Sequence, residues 1–165
     1  MPAPIDFAVR PYRASDLDAV IAIFLGAIRQ VASKDYDPAQ IDAWAQVDRA
    51  AWGQRRLSRT TFVAVVGQVV VGFADLEPDG HLDMMFVHPA YQRMGIASLL
   101  LATVEATAGT RRIPWIRAEV SITARPFFES RGFQLVATQE VALRGQLLTN
   151  HRMQKAIAQH MTAPT

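Results

Sequence analysis

The sequence predicts an α/β protein: a mixed α+β sheet with helices on both faces, in the order β-α-α-β-β-β-α-β-α-β-β. Three observations lead there. Residues Thr61 to Val66, Val69 to Phe73 and His81 to Val87 are apolar, strand-like runs separated by the tight-turn pairs Gly67-Gln68 and Asp79-Gly80, which reads as an antiparallel meander. Leu17, Val20, Ile21, Phe24, Ile28 and Val31 recur at helical spacing and form one apolar face. The run ending at Val87 and the later run Trp115 to Val120 are connected through a helical pattern, so those two strands should lie parallel or nearly so. A ligand belongs where such strands splay apart, at the carboxyl end of His81–Val87.

Taken in order, Phe7 to Arg13 opens as a short strand. Ser15 is expected to N-cap the first helix, with Asp18 in capping-box position. Lys34 to Asp37 interrupts the pattern, and Asp37-Pro38 with Gln40 starts a second helix with proline at its first position. Trp44 and Trp52 fall in the helical stretches that follow, the second capped by Asp48, and are read as packing residues. After the meander, a helix from Ile96 to Ala108 should end with Gly109 as its left-handed cap. Thr123 to Arg131 reads as a short helix that tolerates Pro126 in its first turn and stops at Gly132. Phe133 to Leu143 and Leu147 to Lys155 form a closing hairpin, and Thr162 to Thr165 are expected to fray.

The 165 residues suit one domain, 1–165, with a substantial core. Half of the residues are hydrophobic, 19% are charged and the net charge is +2, which excludes a disordered chain. The basic residues are scattered. Arg55, Arg56 and Arg59 read as a solvated helix face, so no nucleic-acid partner is expected. Zero cysteines exclude disulfides, thiolate metal sites and a cysteine nucleophile. The four histidines show no ligand spacing, and no metal is expected. No segment is apolar for long enough to serve as a signal peptide or to span a bilayer, so a cytoplasmic location and no membrane partner are expected.

The most informative stretch is Phe86-Val87-His88-Pro89-Ala90-Tyr91-Gln92-Arg93-Met94-Gly95-Ile96-Ala97, a strand, a loop with one glycine, then a helix. Unpaired N–H groups and the dipole at a helix N-terminus suit a phosphate. Gln92, Gly95 and Ala97 match the Q/R-x-x-G-x-G/A spacing that resembles the signature of GCN5-related N-acetyltransferases (GNAT). That resemblance implies a GNAT-like acyl-CoA N-acyltransferase fold, with acetyl-CoA as donor substrate and its pyrophosphate on Gln92, Arg93, Met94, Gly95, Ile96, Ala97 and Ser98. Met94 stands where relatives often carry Arg or Lys. It also implies a pantetheine arm paired with the backbone of Met85, Phe86 and Val87. The block Ala124 to Phe133 resembles the family's second signature, which lines the thiol end of CoA and here offers Phe127 and Phe128. Phe128 replaces a tyrosine that in many relatives protonates the departing thiolate, and it has no proton to give. Core packing is the competing role for at least one of this pair. The stretches Phe73 to Gly80, Ser121 to Glu129 and Leu148 to Met153 are most similar to the small bacterial YafP-like branch.

The expected mechanism is direct attack of a primary amine on the thioester. By the two-residue period of a strand, His81, Asp83, Met85 and Val87 share one face, and Leu82, Met84 and Phe86 the other. His81 or Asp83 is the candidate base, against the plainer roles of a turn residue and a satisfied polar group. The Val87 N–H is the candidate donor to the thioester oxygen. Ser121 is the candidate donor to sulfur, against a role in the next turn. Glu119, Asp83 and Tyr36 are candidate acceptor-binding residues, with Tyr36 the nearby phenol as candidate substitute for the missing acid. The partner expected is a small-molecule or peptide amine, and the chain a monomer or homodimer. Two other readings stay open: a CoA-binding sensor without catalysis, and an acyltransferase using another acyl-CoA or a hydroxyl acceptor.

Overall fold

A computed structural model describes residues 5–159; the expected fraying at Thr162 to Thr165 lies outside them. The chain runs β1 (Phe7–Pro11), α1 (Leu17–Gln30), α2 (Pro38–Trp44), α3 (Arg49–Ser58), β2 (Thr60–Val66), β3 (Val69–Leu76), β4 (Leu82–Val87), α4 (Ile96–Thr110), β5 (Trp115–Ser121), α5 (Arg125–Ser130), β6 (Gln134–Leu143) and β7 (Gln146–Ala156), with one-turn 3-10 segments at 14–16, 32–34 and 89–91.

Local chemistry accounts for most of these boundaries. Asp37 accepts from the Gln40 N–H at 2.8 Å, while the Gln40 side chain accepts from the Asp37 N–H at 2.9 Å, a complete capping box. Asp48 accepts from the Ala51 N–H at 3.1 Å. That cap splits the second helical region into α2 and α3, one helix more than the sequence formula counted. Two expected caps move. Ser15 does not cap α1: the Asp16 carboxylate accepts from the Arg13 N–H at 2.8 Å and pairs with Arg10 at 2.8 Å, so the entry to α1 is organised one residue later. Gly109 is not the left-handed residue either. It is buried within α4, and Arg112 takes the positive φ of 57°, with the Ile113 N–H bonded to the Ala108 carbonyl at 2.9 Å.

Strands β1-β2-β3-β4 form one antiparallel sheet and β5-β7-β6 a second. Helices α1 to α3 cover one face of the first sheet around Val20, Ile23, Phe24, Trp52, Val63 and Phe73. Helix α4 and the second sheet cover the other face around Ala64, Leu82, Leu100, Val104, Ile116 and Phe128.

Among the described residues, one isolated parallel bridge, His81 with Arg117, links the two sheets. A close backbone approach makes the bridge. The Arg117 N–H donates to the Gly80 carbonyl at 3.1 Å, and any Cβ on Gly80 would stand 2.3 Å from the Trp115 carbonyl oxygen. Beyond that point β4 and β5 diverge unpaired, so their carboxyl ends form the two lips of a cleft.

One departure matters for the site. Asp75 pairs with Met84 but Leu76 pairs with Leu82, so Asp83 is an extra residue at a β-bulge. The alternation expected for β4 therefore breaks. Leu82 packs in the α4-side core with Met85 and Val87, while Asp83 moves to the side of Met84 and Phe86.

Candidate active site

The first half of the site is the split between β4 and β5 and the N-terminus of α4. The His88 N–H bonds to the Val71 carbonyl at 2.8 Å and Val87 pairs with Gly72. By the alternation of an antiparallel ladder, the N–H groups of Met85 and Val87 then point away from β3 into the split. The Val87 carbonyl points the same way and accepts from the Gln92 side-chain amide at 2.8 Å. Gln92 thus fastens the loop to the strand end, and its amide is turned inward.

The loop then reverses through Arg93 (φ 62°) and Gly95 (φ 86°). The first helical bond of α4 runs from the Leu99 N–H to the Gly95 carbonyl at 3.1 Å, so the N–H groups of Ile96, Ala97 and Ser98 precede any helical acceptor. Met94 is exposed. Arg131, which the sequence reading passed over, donates to the Ser98 hydroxyl at 2.5 Å and lies 5.4 Å over the Phe127 ring. It brings a cation to the same helix end. Phe127 is partly buried under it, whereas Phe128 is 5% exposed and packs edge-on to Phe133 in the core.

The second half is a cleft of about 160 Å³ between the α2 region, β4, β5 and the closing hairpin. Tyr36, Asp83, Glu119 and Ser121 all line it. So do Trp44, read as a packing residue, and Leu148, Thr149 and Asn150 of β7, which the sequence marked for the branch resemblance and not as site residues. The hairpin is tied down by hydrogen bonds from Tyr36 Oη to the Thr149 carbonyl (2.6 Å), Gln40 to the Leu147 carbonyl (2.8 Å) and Arg144 to the Ala43 carbonyl (2.6 Å).

Tyr36 Oη also accepts from the Ile122 N–H at 3.0 Å. Burial pushes the phenol above its ordinary value, partly offset by that N–H. Its proton is already committed to a carbonyl, which is a clamp's arrangement. Tyr36→Phe is expected to cost about 2 kcal/mol by orphaning two backbone groups, and to lower the melting temperature by about 4–8 °C. Turnover should stay within about tenfold; a far larger loss of kcat in a folded variant would make Tyr36 a proton donor. Ser121 Oγ accepts from the Ala124 N–H at 3.1 Å, forming the turn before α5. Its own hydroxyl proton remains free to point into the cleft.

Behind the cleft floor stands a charge cluster. His81 bridges two carboxylates, Nδ1 to Glu77 at 2.9 Å and Nε2 to Glu119 at 2.5 Å. Burial alone would lower its pKa, but the bonds to Glu119 and Glu77 outweigh burial and raise it. Asp83 is held by Arg59 at 2.7 Å, and Arg59 also reaches Glu77 at 3.2 Å. Glu77, His81 and Asp83 place ligand atoms within 4.8 Å of one another, yet these groups already serve Arg59 and the imidazole.

Arg56 is not on a solvated face. It is 1% exposed, 3.1 Å from Asp75 and 3.8 Å from Asp83, and stacks 4.8 Å over Trp52. Burial pushes the Asp75 carboxyl up to about 6, with Arg56 opposing. A lone Asp inside the apolar run Val69 to Leu76 was the one sequence signal for this pair.

Comparisons with known proteins bear on the family and the fold. A family model described as an acetyltransferase (GNAT) domain matches residues 32–156. The uncharacterised N-acetyltransferase YafP of Escherichia coli K12 is 38% identical over 145 residues, covering 88% of this chain and 93% of that protein. A GCN5-related N-acetyltransferase structure from Rhodopseudomonas palustris superposes with a TM-score of 0.88 at 34% identity, over 91% of this chain and 95% of that one. The yncA structure from Salmonella typhimurium, a protein solved with acetyl-CoA, shares the fold with a TM-score of 0.69 at 22% identity, over 94% and 96% of the two chains.

Proposed function

The chain belongs to the GNAT acetyltransferase family, and on that footing we propose that its cleft moves an acetyl group from acetyl-CoA to a primary amine by direct attack. The observation that carries this reading is the convergence of two unpaired backbone rows. The Met85 and Val87 N–H groups open into the β4/β5 split, and the Ile96, Ala97 and Ser98 N–H groups stand at the start of α4. An extended amide chain pairs with the first row and a pyrophosphate with the second.

In this reading the acceptor amine enters from the cleft lined by Asp83, Glu119 and Tyr36. Its nitrogen forms a bond to the thioester carbon, and the oxygen that gains charge is met by the Val87 N–H. Collapse breaks the C–S bond and releases the CoA thiolate. The free hydroxyl of Ser121 donates to the departing sulfur, which a thiolate needs less than an alkoxide would. The ammonium proton passes to Glu119 and the His81–Glu77 pair behind it. Holding donor and acceptor in line supplies much of the rate. Phe128, packed in the core, takes no part.

Thermal unfolding tests the donor half. Acetyl-CoA and CoA should raise the melting temperature, while ATP and NADH should not; no shift with either CoA species at millimolar concentration defeats the reading. Gly95→Ala places a side chain at φ 86°, a conformation costing an L residue about 1–2 kcal/mol. It is expected to weaken acetyl-CoA roughly tenfold, read as a smaller ligand-induced shift. Release of CoA on adding amines then separates an enzyme from a non-catalytic CoA-binding module. Competition among acyl-CoA chain lengths tests the donor.

A further inference from the structure

We propose, resting on the acetyl-transfer reading, that the acceptor is a compact monoamine with an apolar, ring-sized body and no carboxylate. Three features of the cleft point there. Its volume of about 160 Å³ is close to that of the roughly 150 Å³ apolar cavity that accommodates benzene. One side of it is apolar, built of Trp44, Met84, Phe86, Leu143 and Leu148, while Tyr36, Ser121, Thr149 and Asn150 add neutral polar groups. Trp44 and Phe86 stand edge-on at 6.5 Å, leaving ring edges and faces for an aryl or branched alkyl group.

The charges are one-sided. Asp83 and Glu119 line the cleft, and among the described residues no Lys, Arg or His does. The cations that neutralise them, Arg59 and His81, lie behind. Counting the whole cluster, the carboxylates Asp75, Glu77, Asp83 and Glu119 face Arg56, Arg59 and protonated His81, so one negative charge is in excess.

An ammonium group is drawn to this floor. A substrate carboxylate finds neutral donors but no cation among the lining residues, and it meets two like charges. A second ammonium at the far end of a polyamine would be stripped of water between Trp44, Phe86 and Leu148, with only neutral oxygens such as those of Thr149 and Asn150 to replace it. The cleft thus selects against amino acids and polyamines by the same arrangement that accepts an apolar amine.

The experiment uses acceptors that differ by one group. Initial rates of acetyl transfer are measured with benzylamine, with phenylglycine (the same skeleton bearing a carboxylate), with isoamylamine and leucine as the aliphatic counterpart, and with spermidine. The expected kcat/KM for each simple amine exceeds that of its amino acid by about a hundredfold or more, and exceeds that of spermidine. Trp44→Leu should lower kcat/KM for benzylamine at least about tenfold, with the KM for acetyl-CoA unchanged. Equal or faster transfer to phenylglycine, leucine or spermidine overturns this inference and leaves the acetyl-transfer reading standing. Transfer to neither simple amine, in a protein that acetyl-CoA still stabilises, overturns this inference, whereas loss of that stabilisation overturns the acetyl-transfer reading.

Discussion

Replacing Arg56 with Leu is expected to destabilise the protein by about 3–5 kcal/mol, because it strands the Asp75 carboxylate in the core. For a chain of this length that corresponds to a melting temperature lower by roughly 10 °C or more. Both partners are essentially without solvent contact, and Arg56 faces Asp75 at 3.1 Å. The contact is one of charge more than of aligned hydrogen bonds: neither the Arg56 nitrogens nor Asp75 Oδ2 has a partner in hydrogen-bond geometry. Asp75 Oδ1 does accept from the Met84 N–H at 2.8 Å, beside the bulge that aims Asp83 into the cleft. The double variant Arg56→Leu/Asp75→Asn should therefore recover much of the loss, since it removes the stranded charge and keeps an acceptor for Met84. A double variant no more stable than the single one would defeat the account. The pH dependence has a definite sign. Asp75 has a folded pKa of about 6 against 3.8 in its unperturbed state, so its contribution is fully present below about 4 and is lost as pH rises through 6. Asp75→Asn should flatten that part of the stability curve.

Helix starts, hairpins and the strand–loop–helix proposed to hold the donor were legible because each is written in a few consecutive residues. Asp37-Pro38 with Gln40, Asp48 and Gly67-Gln68 act where they stand. The strand, loop and helix from Phe86 to Ala97 likewise needed no distant partner to be read. The acceptor half was only partly legible for the opposite reason. Its walls come from the α1–α2 connection, α2, β4, β5, β6 and β7, and no local rule reports that Trp44 will meet Leu148. Asp83 shows a subtler limit. Strict alternation put it beside Met85 and Val87, but one extra residue in the β3/β4 register turned it over. That slip was needed to bring a carboxylate into the cleft. Arg56 and Gly109 failed similarly. Each has an ordinary surface or cap meaning in its own helix, and packing against Asp75 or the α4-side core overrode it.

Glu119→Gln should reduce kcat/KM by about a hundredfold or more, the usual scale for losing a positioned proton acceptor. Glu119 lines the cleft, is 43% exposed and has His81 2.5 Å behind it, so in the proposed reaction it is the group that meets the incoming ammonium. His81 is a poor base while it carries a proton between two carboxylates. Its raised pKa therefore predicts that kcat/KM climbs with pH as the imidazolium discharges. Stability should move the other way. A histidine with a raised folded pKa contributes stability that is fully present below its unfolded value and lost as pH rises through the folded one. Glu77→Gln separates the roles. It removes one of the bonds that hold the imidazolium, so the midpoint of the rate profile should shift to lower pH, with a far smaller loss at the plateau than in Glu119→Gln. Asp83 and Arg59 also border this cluster, the former paired at 2.7 Å with the latter. An unchanged profile in Glu77→Gln would overturn the assignment of the titrating role to His81.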